Sequence, residues 1–206
     1  MRPMEIEKKS FEIIAGELKG KPIDPEYDLL VRRVIHATAD FDYADSLCFS
    51  EHAMENLLDA IRSGADIVTD TAMAKAGINS RALSKFGGAV DCYIADPEVA
   101  EEAKARGTTR SWVAMEKAAR LHERPVFAIG NAPTALLSIC RMVRAGELEP
   151  RFVIGVPVGF VEVVEAKEAL MQLPVPYVIA RGRKGGSPVA AAIVNAALYQ
   201  LAEREE

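Results

Sequence analysis

The 206-residue chain is 50% apolar and 27% charged. That is a globular composition, long enough to bury one core of ordinary size, and a single domain over residues 1–206 is expected. Its 25 Lys and Arg against 30 Asp and Glu leave a net charge of −5, which offers no global attraction to nucleic acid or to an anionic membrane, so an anionic ligand has to be met by a local basic cluster. No apolar run approaches the roughly 20 residues of a membrane span. The opening MRPMEIEKKSFEIIAGEL carries charges where a signal peptide needs an apolar core, and a cytoplasmic location is expected.

The N-terminal quarter reads as helical. Ile6, Phe11, Ile13, Ile14 and Leu18 give residues 4–18 an apolar pattern. Asp24-Pro25 then reads as an N-cap followed by proline at the first helical position, opening a second helix with the stripe Leu30, Val31, Val34 and Ile35 and ending near His36. Ser50 is placed to cap a third helix that runs to about Arg62 and stops at Gly64. Beyond this point short apolar runs alternate with helical stretches. The predicted strands are 66–69, 89–94, 126–129, 152–156 and 177–180, with helices beginning near Pro97, Thr109, Pro133, Phe160 and Ser187; residues 78–86 read ambiguously. Strands without polar alternation belong in sheets covered on both faces. The alternation predicts an α/β fold: three layers (α/β/α), a mostly parallel, doubly wound sheet of about five strands, and an N-terminal helical segment. The helix from Ser187 carries a long face of Ala and Val, suited to close helix–sheet packing, with a dimer interface as the alternative.

In such sheets ligands sit outside the carboxyl ends of the strands. The segments there are TDTAMAKAG, GNAPTAL, GVPVGFVEVVEAK and RGRKGGS. A glycine-rich turn into a helix presents unpaired N–H groups and the positive end of a dipole, which suits phosphate or carboxylate. Closing a tight turn is the plain alternative for any one such loop, but three of them share one sheet edge. The Walker order and G-x-G-x-x-G after a strand are both missing, which disfavours a nucleotide site. Nucleophile-elbow and H-E-x-x-H motifs are missing too, so hydrolytic and metal-assisted chemistry have little support. Cys48, Cys92 and Cys140 are too few and too widely spaced for a disulfide framework or a zinc site and read as small buried hydrophobes.

His52 and His122 lie in charged surroundings and read as solvated. His36, in RVIHATADFDYA, ends a helix, where the dipole favours an imidazolium. Asp40 and Asp42 would reinforce that if they lie near it in space. A protonated histidine there suits general acid catalysis; a satisfied structural histidine is the alternative on position alone.

Together RVIHATADFDYA, TDTAMAKAGI, GTTRSWVAME, AIGNAPTAL, GVPVGFVEVVEAKEAL and PYVIARGRKGGSPVAAAIVNA resemble the precorrin-8X methylmutases, over residues 10–197. The resemblance implies an isomerase of cobalamin biosynthesis that moves a methyl group from carbon 11 to carbon 12 of a corrin precursor, giving hydrogenobyrinic acid or, with cobalt inserted, cobyrinic acid. It implies a homodimer without a protein-bound metal or nucleotide, with a corrin-type tetrapyrrole as substrate and product. The family's catalytic histidine matches His36, and its pocket arginine matches Arg110. Ser10 and Thr38 fall in matching segments. The remaining expected substrate contacts are Asn131, Thr134, Gly159, Arg181, Arg183, Gly185, Gly186 and Ser187, with Val156, Val158, Phe160 and the Met73 region as an apolar wall. The alternative from another class is a corrin-binding carrier without catalysis; a pure binder has no need of His36.

Overall fold

The computed structural model describes residues 3–205. In chain order the elements are α1 (Pro3–Glu17), α2 (Asp28–Thr38), α3 (Tyr43–Ser46), β1 (Leu47–Phe49), α4 (Ala53–Arg62), β2 (Ile67–Thr69), α5 (Ala72–Gly77), α6 (Ser80–Ser84), β3 (Val90–Asp91), α7 (Pro97–Arg106), α8 (Arg110–Leu121), β4 (Val126–Ile129), α9 (Pro133–Arg144), β5 (Phe152–Gly155), α10 (Val163–Met171), β6 (Tyr177–Ala180) and α11 (Ser187–Glu205). The sheet runs β1-β6-β5-β4-β2-β3, parallel from β6 to β3.

Alternation along the strands builds the layers, because successive side chains leave opposite faces. On β4, Val126 and Ala128 join the cluster formed with α1, α2, α4 and α11. Phe127 and Ile129 join the cluster formed with α7, α8, α9 and α10. Both faces are thus covered, which is why β2, β4 and β5 consist wholly of buried residues. The small residues of α11 serve this packing: Ala190, Ile193, Ala196 and Ala197 are fully buried. Among the described residues no helix is long and apolar enough to cross a membrane.

The structure departs from the sequence reading in several places. β1 was not expected. It is three residues long and pairs antiparallel with β6 at the sheet edge, too short to carry a period of its own. Ser50 does not cap α4, whose N-cap is His52 in the left-handed region; its hydroxyl accepts the Tyr177 N–H instead and extends the β1–β6 pairing. Asp24-Pro25 forms a turn, with Asp24 Oδ1 accepting the Glu26 N–H, and α2 starts later at Asp28. Helix α10 begins at Val163, after Glu162 at φ 57°, rather than near Phe160.

His122 is not solvated: its side chain is 7% exposed. Nδ1 lies 2.9 Å from Asp66 and Nε2 lies 2.6 Å from the Tyr93 hydroxyl. The chain turns there from α8 into β4, and the turn places the ring between the segments flanking β2 and β3. Of the cysteines only Cys140 is buried; burial pushes its thiol up to about 11.

Candidate active site at the switch point of the sheet

From β2 the chain moves outward to β3, then returns to β4 on the other side of β2. The crevice of a doubly wound sheet lies at this reversal, outside the carboxyl ends of the diverging strands. Asp70, directly after β2, sits there with 1% exposure. Its Oδ1 accepts the Gly130 N–H at 2.9 Å, and its Oδ2 accepts those of Asn131 at 2.8 Å and Ala132 at 2.6 Å. Burial raises the Asp70 carboxyl above its usual range, against the pull of these donors. The expectation that GNAPTAL offers its backbone N–H groups to a ligand is therefore corrected at these three positions: Asp70 already takes them. Asn131 keeps an exposed side chain at the crevice.

The loops after β4, β5 and β6 stack on one another. The Gly186 N–H donates to Val156 O at 2.9 Å, and the Gly159 N–H donates to Arg183 O at 3.1 Å. A Cβ on Gly185 would stand 2.1 Å from Val156 O, and one on Gly130 would stand 2.7 Å from the Ser187 backbone, so both approaches require glycine. Ser187 and Thr71 hydroxyls lie 2.7 Å apart and tie the start of α11 to the loop after β2. Lys167, 1% exposed on α10, donates to the carbonyls of Gly182 and Lys184, both at 2.8 Å. Burial alone pushes its pKa down to about 8.

His36 stands exposed on the last turn of α2, with Ala39 closing the helix at φ 54°. Its ring meets Phe11 of α1 edge-on, with centroids 5.3 Å apart. Asp40 and Asp42 do not serve it as expected, because both carboxylates are engaged by Lys184, at 2.6 and 2.7 Å. This pairing holds the Asp40 carboxyl below its ordinary range and fastens the loop after β6 to the segment that follows His36. One turn before His36, Arg33 places its guanidinium 5.1 Å from the Phe11 ring and 4.6 Å from that of Tyr199. Phe11, Arg33, Leu29 and Tyr199 line a groove of about 530 Å³ that shares Phe11 with His36.

The other expected contacts divide. Arg110 is the first residue of α8 and is exposed. Beside it, the N-cap Thr109 donates to Thr134 at the start of α9. Arg183 is exposed and packs its guanidinium 5.6 Å from the Phe160 ring. Arg181 goes elsewhere: its N–H is bound by Ser46 O, and its side chain lines a groove with Cys48, Phe49 and Tyr177 beside β1. The Ser10 and Thr38 hydroxyls donate to carbonyls of their own helices, Ile6 O and Val34 O. Val156 is fully buried and cannot line a wall, whereas Met73, Val158, Phe160 and Val161 are exposed.

Sequence reasoning missed Asp70, Arg33 and Lys167. For Lys167 a signal existed: it falls on the buried stripe Val163, Ala166, Leu170, where a lysine is out of place unless its charge is used. Asp70 gave a similar one, a carboxylate directly after an apolar strand.

A sequence profile of precorrin-8X methylmutase matches residues 5–200. The chain is 46% identical to the cobalt-precorrin-8 methylmutase of Priestia megaterium, covering 95% of this chain and 87% of that one. It is 47% identical to the cobalt-precorrin-8 methylmutase of Salmonella typhimurium, covering 98% and 97%. Among solved structures, the precorrin-8X methylmutase of Thermus thermophilus superposes with a TM-score of 0.87 at 41% identity, over 97% of this chain and 98% of that one. Sequence and architecture agree over nearly the whole length, and the chain belongs to the precorrin-8X methylmutase family.

Proposed function

We infer that this protein is an isomerase acting on precorrin-8X or its cobalt form, moving a methyl group from carbon 11 to carbon 12 of the corrin ring in cobalamin biosynthesis. The observation that carries this reading is the exposed His36 at a helix end whose following segment is strapped to the loop after β6 by Lys184. The substrate is an apolar macrocycle bearing many carboxylates. Met73, Val158, Phe160 and Val161 supply exposed apolar surface, Arg183 packs on Phe160, and Arg110 is a further exposed cation. A sigmatropic shift needs no nucleophile: one carbon–carbon bond forms as another breaks in the same ring system. What the protein contributes is a held conformation and electrostatic activation at one ring. His36 is assigned as the acid, donating a proton or a hydrogen bond to the ring near the migrating methyl. A helix C-terminus is a favourable place for that cation. The family likeness extends the reading to a homodimer in the cytoplasm.

Incubation of the purified protein with metal-free and cobalt-bearing substrate in parallel, followed by absorbance, tests the assignment. Conversion in either arm supports it and identifies the form used. Binding without conversion in both arms would leave a carrier and overturn the enzymatic reading.

A further inference from the structure

Lys167 carries a charge where burial opposes one. It is 1% exposed on the inner face of α10, and among the described residues no carboxylate pairs with it. Its ammonium is bound instead by two carbonyls, Gly182 O and Lys184 O. A buried cation without a counter-ion costs stability, and hydrogen bonds to the charged form are what offset it.

The two carbonyls belong to alternate residues of an exposed loop, and this fixes more than their own direction. A trans peptide is planar, so the C=O of one residue and the N–H of the next point opposite ways; the described chain has no cis peptide. Turning the carbonyls of Gly182 and Lys184 inward therefore turns the N–H groups of Arg183 and Gly185 away from Lys167. Among the described residues neither N–H donates to a protein atom. The loop cannot readily rotate to hide them. Arg183 O is held by the Gly159 N–H, the Gly186 N–H is held by Val156 O, and Lys184 is held by Asp40 and Asp42.

We propose that Lys167 is a positioning residue, which aims the N–H groups of Arg183 and Gly185 outward as preformed donors for one carboxylate of the substrate. The ammonium beneath them adds a positive field to that socket, and the Arg183 guanidinium, packed on Phe160, flanks it. The proposal rests on the corrin reading above, since it names one contact of that ligand. It concerns main-chain donors, which the basic side chains of the same loop do not reveal.

The test uses full-length ¹⁵N-labelled protein and hydrogenobyrinic acid, the metal-free product. The Arg183 and Gly185 amide protons are expected to shift downfield and to become protected from exchange when the corrin binds. Corrin-dependent change at Ala37 and Thr38, beside His36, without change at Arg183 and Gly185 would overturn the proposal and leave the corrin reading standing. No change at any of these four would overturn the corrin reading itself. A second arm uses Lys167→Met. The expected result is a dissociation constant raised about tenfold or more, the loss of roughly one charge-assisted hydrogen bond, with the corrin-dependent shifts of the Arg183 and Gly185 amides lost while those of Ala37 and Thr38 persist. Wild-type affinity in folded Lys167→Met would overturn the positioning role, and if that variant does not fold, the amide measurement decides alone.

Discussion

The Lys184 ammonium lies 2.6 Å from Asp40 Oδ2, and it joins the loop after the last strand to the segment following the His36 helix, although 144 residues separate the two in sequence. Asp42 completes the clamp at 2.7 Å. The placement of the loop after β6 relative to the segment following His36 thus depends on an exposed ion pair network. Lys184→Ala is expected to raise KM more than it lowers kcat, with little change in melting temperature, since exposed pairs contribute little to stability. Steady-state kinetics beside thermal unfolding separates the outcomes; a large fall in melting temperature with unchanged KM would contradict the clamp.

His36→Ala is expected to lower the single-turnover rate by about 10²–10⁴-fold, the usual worth of a positioned acid, while corrin affinity stays within a few-fold. The imidazole is exposed and meets the Phe11 ring edge-on, so the fold should tolerate its loss. Near-normal turnover, followed by the appearance of product absorbance, would remove His36 from the chemistry.

Arg183 and Arg181 are two residues apart but occupy different surroundings, one packed on Phe160 and the other in the groove beside β1. Arg183→Ala should weaken corrin binding about tenfold or more, as loss of a charged hydrogen bond does, and Arg181→Ala should weaken it less. Equilibrium titration of both variants checks the order; the reverse order would move the carboxylate socket to the β1 side.

Gly185→Ala places a Cβ 2.1 Å from the Val156 carbonyl. The contact is backbone against backbone, so the loop has to move. A destabilisation of about 1–3 kcal/mol is expected, along with loss of corrin affinity. Denaturant unfolding and titration measure the two effects, and a variant with wild-type values for both would show that the loops after β5 and β6 are not locked together.

The lowered pKa of Lys167, about 8 when folded, makes stability pH-dependent. Between about 8 and the ordinary 10.5 the unfolded chain binds the proton and the folded chain has released it. Unfolding free energy therefore rises with pH across this window, because the form that burial disfavours is lost. At about 1.4 kcal/mol per pH unit, the full span is on the order of 3 kcal/mol. The difference between wild type and Lys167→Met, measured by urea unfolding from pH 7 to 10.5, isolates this group. A flat difference would mean that the folded amine keeps its proton across the window and that burial does not lower its pKa.

The layered architecture was legible in the sequence alone, as was the edge of the sheet that carries the candidate site. Unbroken apolar strands such as Val126–Ile129 are possible only when both faces are covered, and loops such as RGRKGGS are visible because glycine-rich turns have a local cause. The position of His36 at a helix end was legible for the same reason, since a helix end is a local feature. Interactions between segments far apart in the chain emerged with the fold. It placed Asp40 and Asp42 on Lys184 rather than on His36, gave the GNAPTAL amides to Asp70, buried His122 between Asp66 and Tyr93, and added β1 to the sheet through its pairing with β6. Charges and hydrogen-bonding groups take whichever partner the fold brings within about 3 Å, and spacing along the chain does not encode that distance.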